Sequence, residues 1–201
     1  MSYRLVIFDM DGVLYDYLPE SRLDFLAQLT GKSSNDVHDA IWSSGFEDRA
    51  EAGAYKSGTA YLTAYARQLG FDISREQWIS SRKAVMRARP DMLDLAEQIG
   101  TRTRIALLTN NGMLLKETVA EIAPDVPRIF GKHVYVSAEF DTKKPDPDIY
   151  RQLVSALGHV PDEALFIDDK AENVDGARDA GLHGHHFQTT EALLAVVRAI
   201  L

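Results

Sequence analysis

Residues 6–14, VIFDMDGVL, are an apolar run that stops on Asp9 and places a second carboxylate, Asp11, two residues further on. Residues two apart on extended chain point the same way, so both carboxylates can face one substrate, and Gly12 then lets the chain turn sharply. Working outward, three more short apolar runs follow: residues 105–108 before Thr109, Val134–Val136, and residues 164–167 before Asp168 and Asp169. Short, almost continuously hydrophobic runs predict strands buried on both faces. The helical patterns between them predict an α/β fold, a Rossmann-like parallel sheet with helices packed on it. Asp146 reads as a helix N-cap with Pro147 in the first turn, followed by an apolar stripe of Ile149, Tyr150, Leu153, Val154 and Leu157 that stops near Gly158. A helix over about residues 171–180 ends at Gly181, and a last one carries Leu193, Leu194, Val197 and Leu201 on one face.

Between the first two strands a crossover of a dozen or so residues would suffice, yet about 90 are present. Their patterns are helical, as in Val37 with Ile41 or Tyr61, Leu62, Tyr65 and Leu69, broken at Gly31, Gly45, Gly70 and Pro90. The expected organisation is a core of residues 1–14 and 90–201, with residues 15–89 inserted as a helical cap domain. A chain of 201 residues suits a core carrying one large insertion, and 45% hydrophobic with 26% charged residues can bury a real core.

The formal net charge of -8 argues against nucleic-acid or anionic-membrane partners, which need clustered Lys and Arg, although local positive charge can still bind one small anion. Cysteine is absent, which excludes disulfides, thiolate metal sites and a cysteine nucleophile. The N-terminus has no signal-peptide pattern and nothing near the roughly 18 apolar residues of a membrane span, so a cytoplasmic protein is expected.

In an open parallel sheet, ligands bind outside the carboxyl ends of the strands, so Asp9, Thr109, Asp168 and Asp169 can meet although distant in sequence. A hard cation such as magnesium prefers oxygen ligands, for which Asp9, Asp169 and the backbone carbonyl of Asp11 are suited. Each motif has a plainer reading. Asp168 and Asp169 can cap the helix near Ala171, Thr109 and Asn110 can cap the one near Gly112, and Lys144 can be a solvated surface lysine. A bound phosphoryl group, however, needs hydroxyl or amide donors together with a cation.

Taken in order, DMDGVL, LLTNN, KKPDPDIY and IDDKAENVDGARDAG resemble the four motifs of the haloacid dehalogenase superfamily, in its phosphatase-type branch with a helical cap after the first strand. The DDxxxN form, with Asn173 and Gly181, is closest to sugar-phosphate phosphatases and the phosphatase domain of epoxide hydrolases. The resemblance implies a magnesium-dependent phosphatase of small phosphomonoesters, sugar phosphates or related metabolites. It implies Asp9 as nucleophile forming an aspartyl phosphate, and Asp11 as acid and then base. Thr109, the Asn110 backbone and Lys144 would hold the phosphoryl group. Asp169 would be a direct metal ligand, Asp168 its neighbour through water, and Asn173 a support. The superfamily's dehalogenases lack the acid two residues after the nucleophile, so Asp11 argues against dehalogenation. Its phosphomutases tend to carry Glu-Asp where this chain has Asp168 and Asp169, and a non-catalytic phosphometabolite-binding relative would have lost one of these groups.

Within the cap, residues 45–49 offer Glu47 and Arg49 for a polar leaving group. The plainer alternative for Arg49 is pairing with an acid on a solvated helix face. Trp42, Tyr61 and Tyr65 read as cap core, and no basic cluster is visible there, which disfavours a multiply phosphorylated substrate. His183, His185 and His186 read as structural, because adjacent strand residues point to opposite faces. Monomer and homodimer are both compatible with the sequence.

Overall fold

The computed structural model describes residues 3–198 and residue 200. Its centre is a five-stranded parallel sheet in the spatial order β5 (Val134–Val136), β4 (Arg104–Thr109), β1 (Leu5–Phe8), β6 (Ala164–Asp168) and β7 (His183–His186). β1 is central, with Phe8 level with Leu107 of β4 on one side and Ile167 of β6 on the other. Its four residues are wholly buried, and their side chains alternate between two apolar clusters. Val6 and Phe8 join one, while Leu5 and Ile7 join the other. Burial of this kind stabilises by about 1.5–3 kcal/mol per large aliphatic or aromatic side chain. It explains why the strands read as continuous hydrophobic runs.

The insertion opens and closes on a feature the helical reading did not include. β2 (Tyr15–Tyr17) and β3 (Met86–Ala88) pair antiparallel, Tyr15 opposite Ala88, so the two ends of the insertion form one ribbon. Three-residue strands show no usable period in sequence, and their pairing spans about 70 intervening residues. Between them lie α1 (Pro19–Thr30), α2 (Ser34–His38), a π-helical turn over Asp39–Ser43, α3 (Phe46–Glu51), α4 (Gly58–Leu69) and α5 (Arg75–Lys83). Side-chain caps start three of these helices, Ser33 before α2, Ser57 before α4 and Ser74 before α5, the last as a reciprocal capping box with Gln77.

After the insertion come α6 (Pro90–Gly100), α7 (Met113–Ile122), α8 (Asp125–Phe130), α9 (Pro147–Ala156), α10 (Ala171–Asp179) and α11 (Thr190–Val197). α9 and α10 cover one face of the sheet, and α6, α7, α8 and α11 the other. The Asp146 carboxylate accepts from Asp148 N at 2.9 Å, with Pro147 in the first turn. On α11, Leu193 and Val197 are buried but Leu194 is exposed, so the expected stripe is narrower than the sequence suggested; Leu201 lies outside the described residues. The insertion packs on α7, where the Glu117 carboxylate accepts from Gly58 N at 2.8 Å and Arg75 pairs with Glu121. The aromatic residues Phe46, Tyr61, Tyr65 and Trp78 of the insertion share one apolar cluster with Leu114 and Leu115 of α7. No helix among the described residues is long and apolar enough to cross a membrane.

Candidate active site

The ends of three adjacent strands deliver the polar residues. Asp9 follows β1, Thr109 closes β4 and Asp168 closes β6, all buried beneath a cavity of about 620 Å³ between the sheet and the inserted helices. Lys144 enters from the loop before α9 and is almost wholly enclosed. Its ammonium donates to Leu108 O (3.2 Å) and Asp168 Oδ2 (2.6 Å) and lies 2.8 Å from Asp9 Oδ1. Its backbone is fixed too: Asn110 Nδ2 donates to Lys144 O at 2.9 Å and Lys144 N donates to Asn110 Oδ1 at 3.0 Å. A side chain at Gly176 of α10 would overlap Pro145 O, so that helix packs directly on the lysine loop.

Asp168 accepts from Lys170 N (2.9 Å) and from Asn173 Nδ2 (3.0 Å) as well as from Lys144. It joins the lysine to the residues that open α10, but it does not cap that helix: the N-cap position is Lys170, and no side chain caps it. Asp169 reaches the cavity beside Gly12. A Cβ at Gly12, whose φ is +87°, would overlap the Asp169 carboxylate, so both the backbone conformation and the close approach require glycine. Asn111, which sequence reasoning passed over, donates from Nδ2 to Thr109 Oγ1 at 2.9 Å and orients that hydroxyl.

Carboxylate oxygens of Asp9, Asp168 and Asp169 lie within 4.8 Å of one another, and among the described residues this is the single cluster with metal-ligand spacing. Asp11 does not contribute its carboxylate to that group. One buried oxygen each of Asp11 and Asp169 has no hydrogen-bond partner among the described residues, and Asp9 Oδ1 has only the shared Lys144 ammonium, 2.8 Å away. One ammonium therefore serves two enclosed carboxylates, with a third alongside. This surplus of negative charge on oxygen donors fits a hard divalent cation. Burial raises Asp9 well above the ordinary carboxylate range against the opposing pull of Lys144, and Asp168 adds to the rise. Burial lowers the Lys144 ammonium, but Asp9 and Asp168 more than offset it and hold the ammonium above its usual value. Asp169 is also raised, by burial first and then by Asp168.

The insertion supplies the opposite wall, and here the sequence-based expectations need correcting. Glu47 and Glu51, four apart on α3, both line the cavity, as helix geometry places them on one face. Arg49, two residues from each, is exposed on another face and donates to Ser44 O at 3.0 Å, so the structure does not bring it to the cavity. Trp42 and Tyr61 line the cavity as well as packing in the insertion, whereas Tyr65 is fully enclosed.

Two arginines that the sequence reading did not single out also line it: Arg22 of α1 and Arg82 of α5, each only 3% exposed. The expectation that the insertion lacks clustered positive charge fails, because the pair is separated by 60 residues in sequence and joined only by packing. A signal was present, since Arg22 stands four residues before buried Leu26 and Arg82 four after buried Trp78, at apolar-stripe positions. Arg82 Nη2 donates to Asp11 Oδ2 at 3.1 Å, and its guanidinium lies 5.1 Å from the Tyr17 ring.

Lys143, in the loop before α9, ties that loop to α3 beside the cavity, pairing with Asp48 and, at 3.1 Å, with Glu51 Oε2. Burial pushes Glu51 from 4.5 up to about 6, with Lys143 pulling the other way. A carboxyl raised in the folded state favours folding while protonated, and that contribution is lost as pH rises from 4.5 through about 6. Glu51→Gln should therefore match the wild type near pH 4 and be more stable by about 1–2 kcal/mol near pH 8. Lys143 keeps Asp48 as a partner. Chemical denaturation at the two pH values checks this, and equal stabilities at both would refute it.

The sequence pattern of haloacid dehalogenase-like hydrolases matches residues 3–181. Phosphatase MT3486 of Mycobacterium tuberculosis (strain CDC 1551 / Oshkosh) is 26% identical over 198 residues, spanning 92% of this chain and 87% of that protein. Among solved structures, a haloacid dehalogenase family enzyme from Bacteroides thetaiotaomicron superposes with a TM-score of 0.82 at 19% identity, covering 98% of this chain and 100% of that one. The same enzyme has been solved in complex with magnesium and inorganic phosphate. The L-2-haloacid dehalogenase of Xanthobacter autotrophicus shares the fold at a TM-score of 0.64 and 20% identity, covering 98% of this chain and 83% of that one.

Proposed function

Because this chain belongs to the haloacid dehalogenase-like hydrolase family, we propose that it is a magnesium-dependent phosphatase of small phosphomonoesters, sugar phosphates or related metabolites, acting in the cytoplasm. The observation that carries this reading is the pair Asp9 and Asp11 facing one cavity, Asp9 beside the enclosed Lys144 ammonium and Asp11 held by Arg82. In this reading residues 15–89 are a cap domain over a core of 1–14 and 90–201.

A carboxylate oxygen of Asp9 attacks phosphorus, the bond to the substrate alcohol breaks, and an aspartyl phosphate forms. Asp11 gives its proton to the departing alcohol oxygen, then takes one from the water that attacks phosphorus, which frees Asp9 and inorganic phosphate. Thr109 Oγ1 and the Asn110 backbone N–H bind the phosphoryl oxygens as their charge redistributes, and the Lys144 ammonium offsets that charge together with the charge of Asp9. Asp9, Asp169 and the Asp11 backbone carbonyl would hold the magnesium ion, with Asp168 behind them, and a cation held there would supply positive charge to offset the negative charge of the site. Arg82 is a positioning residue that aims Asp11. The relatives include both a phosphatase and a dehalogenase. Asp11 favours phosphoryl transfer, because halide departure needs no proton.

Phosphate release from a panel of phosphorylated metabolites, with and without magnesium, tests this directly. Magnesium-dependent release is expected, together with a rise in Tm on adding magnesium that Asp169→Asn removes. Release from no compound, with no magnesium effect on Tm, would overturn the reading. Interconversion of sugar-phosphate isomers without release would point to a phosphomutase.

A further inference from the structure

Arg22 is a cation without a matched anion. Its side chain is 4% exposed and lines the cavity, yet Nε and Nη2 have no hydrogen-bond partner among the described residues. The guanidinium lies over two indoles, 5.3 Å from the Trp42 ring and 5.7 Å from the Trp78 ring. Its nearest carboxylate, Glu47 Oε1, stands 3.8 Å from Nη2, beyond hydrogen-bond length, and already accepts from Tyr61 Oη at 2.8 Å. Arg82 differs, since its Nη2 is committed to Asp11. Cation–π contact balances part of the burial of Arg22 but satisfies none of its in-plane N–H donors, and a guanidinium presents those donors in a fork suited to carboxylate or phosphate oxygens.

We propose that Arg22 forms a second anion-binding subsite, and that the substrate is a phosphomonoester whose alcohol portion carries a further anionic group, a carboxylate or a second phosphate. The phosphoryl group to be removed lies at Asp9 and Lys144, and the second anion reaches across the same cavity to Arg22. Glu47, held by Tyr61, lies beside that anion and accepts from a hydroxyl of the same substrate. The inference rests on the phosphatase reading for which end of the substrate reacts, and on Arg22 alone for the second anion.

Non-hydrolysable probes test it in the wild-type protein with magnesium present. By calorimetry, phosphonocarboxylates and alkylene bisphosphonates with two to five methylenes are each compared with alkylphosphonates of the same length. At least one series carrying the second anionic group should bind about tenfold tighter or more than the alkylphosphonates that lack it. Which series does so distinguishes a carboxylate from a second phosphate. The preference should collapse in Arg22→Gln, persist in part in Arg22→Lys and increase in Glu47→Gln, which removes a competing charge without altering the arginine. Equal affinity of all three series, including binding too weak to detect in any, overturns the proposal. So does a preference that survives Arg22→Gln. Failure of the phosphatase reading would appear separately, as absent phosphate release from p-nitrophenyl phosphate alongside an intact calorimetric preference.

Discussion

Asp9→Asn should lower kcat by about ten-thousandfold or more while leaving the protein folded and, without metal, more resistant to heat. The activity loss follows from chemistry, because an amide oxygen cannot form the phosphoryl ester that the proposed reaction requires. The gain in stability follows from burial. Asp9 is 6% exposed, burial holds its carboxyl well above the ordinary range, and its one cationic neighbour is shared with Asp168. An isosteric neutral side chain leaves Lys144 with the single carboxylate Asp168 at 2.6 Å, a balanced pair. Phosphate release and thermal unfolding on the same preparation measure both effects. Undiminished turnover would remove Asp9 from the nucleophile's role, and a lower Tm would show that the Asp9–Lys144 attraction outweighs the cost of enclosing the carboxylate.

Lys144→Met should be the most damaging single change to stability, and it should lower activity as well. Methionine fills similar volume but leaves Asp9 and Asp168 enclosed without the ammonium, and removing one partner of a buried ion pair costs about 3–5 kcal/mol. Protonation of the stranded carboxyls relieves part of this, so the loss should grow as pH rises. Turnover should fall by about a thousandfold, because no cation remains at that position to offset charge on the phosphoryl oxygens. Adding Asp168→Asn to Lys144→Met should restore much of the stability and none of the activity, separating the two roles. Urea unfolding at two pH values with phosphate release reads all of this. A stability loss within experimental error would mean that the lysine is not the main counter-charge for these carboxylates.

The two walls of the cavity differ in how far they could be read in advance. The sheet wall was readable because each polar residue there interrupts a strand that is otherwise apolar on both faces. Asp9, Thr109 and Asp168 stand directly at those interruptions. Lys144 entered through the resemblance of KKPDPDIY to the family's third motif, since the residues alone also allowed a solvated surface lysine. The helical wall was not. Arg49 drew attention because it lies in a short polar stretch, but α3 turns it about 200° from Glu47 and into solvent. Arg22 and Arg82 went unnoticed because each is one charge in an ordinary amphipathic helix, and only packing of α1 against α5 puts both in the cavity.

The amino-acid sequence by itself determined the parallel sheet and the set of residues at the strand ends. Those are consequences of local patterns: uninterrupted apolar runs, capped helical periods, and polar residues at their ends. Tertiary structure alone decided the ribbon that closes the insertion, the allocation of one ammonium between Asp9 and Asp168, and the meeting of Arg22, Trp42 and Trp78. Each depends on segments far apart in the chain whose spacing carries no period. Their juxtaposition is set by how the inserted helices pack on α7 and over the carboxyl ends of the strands.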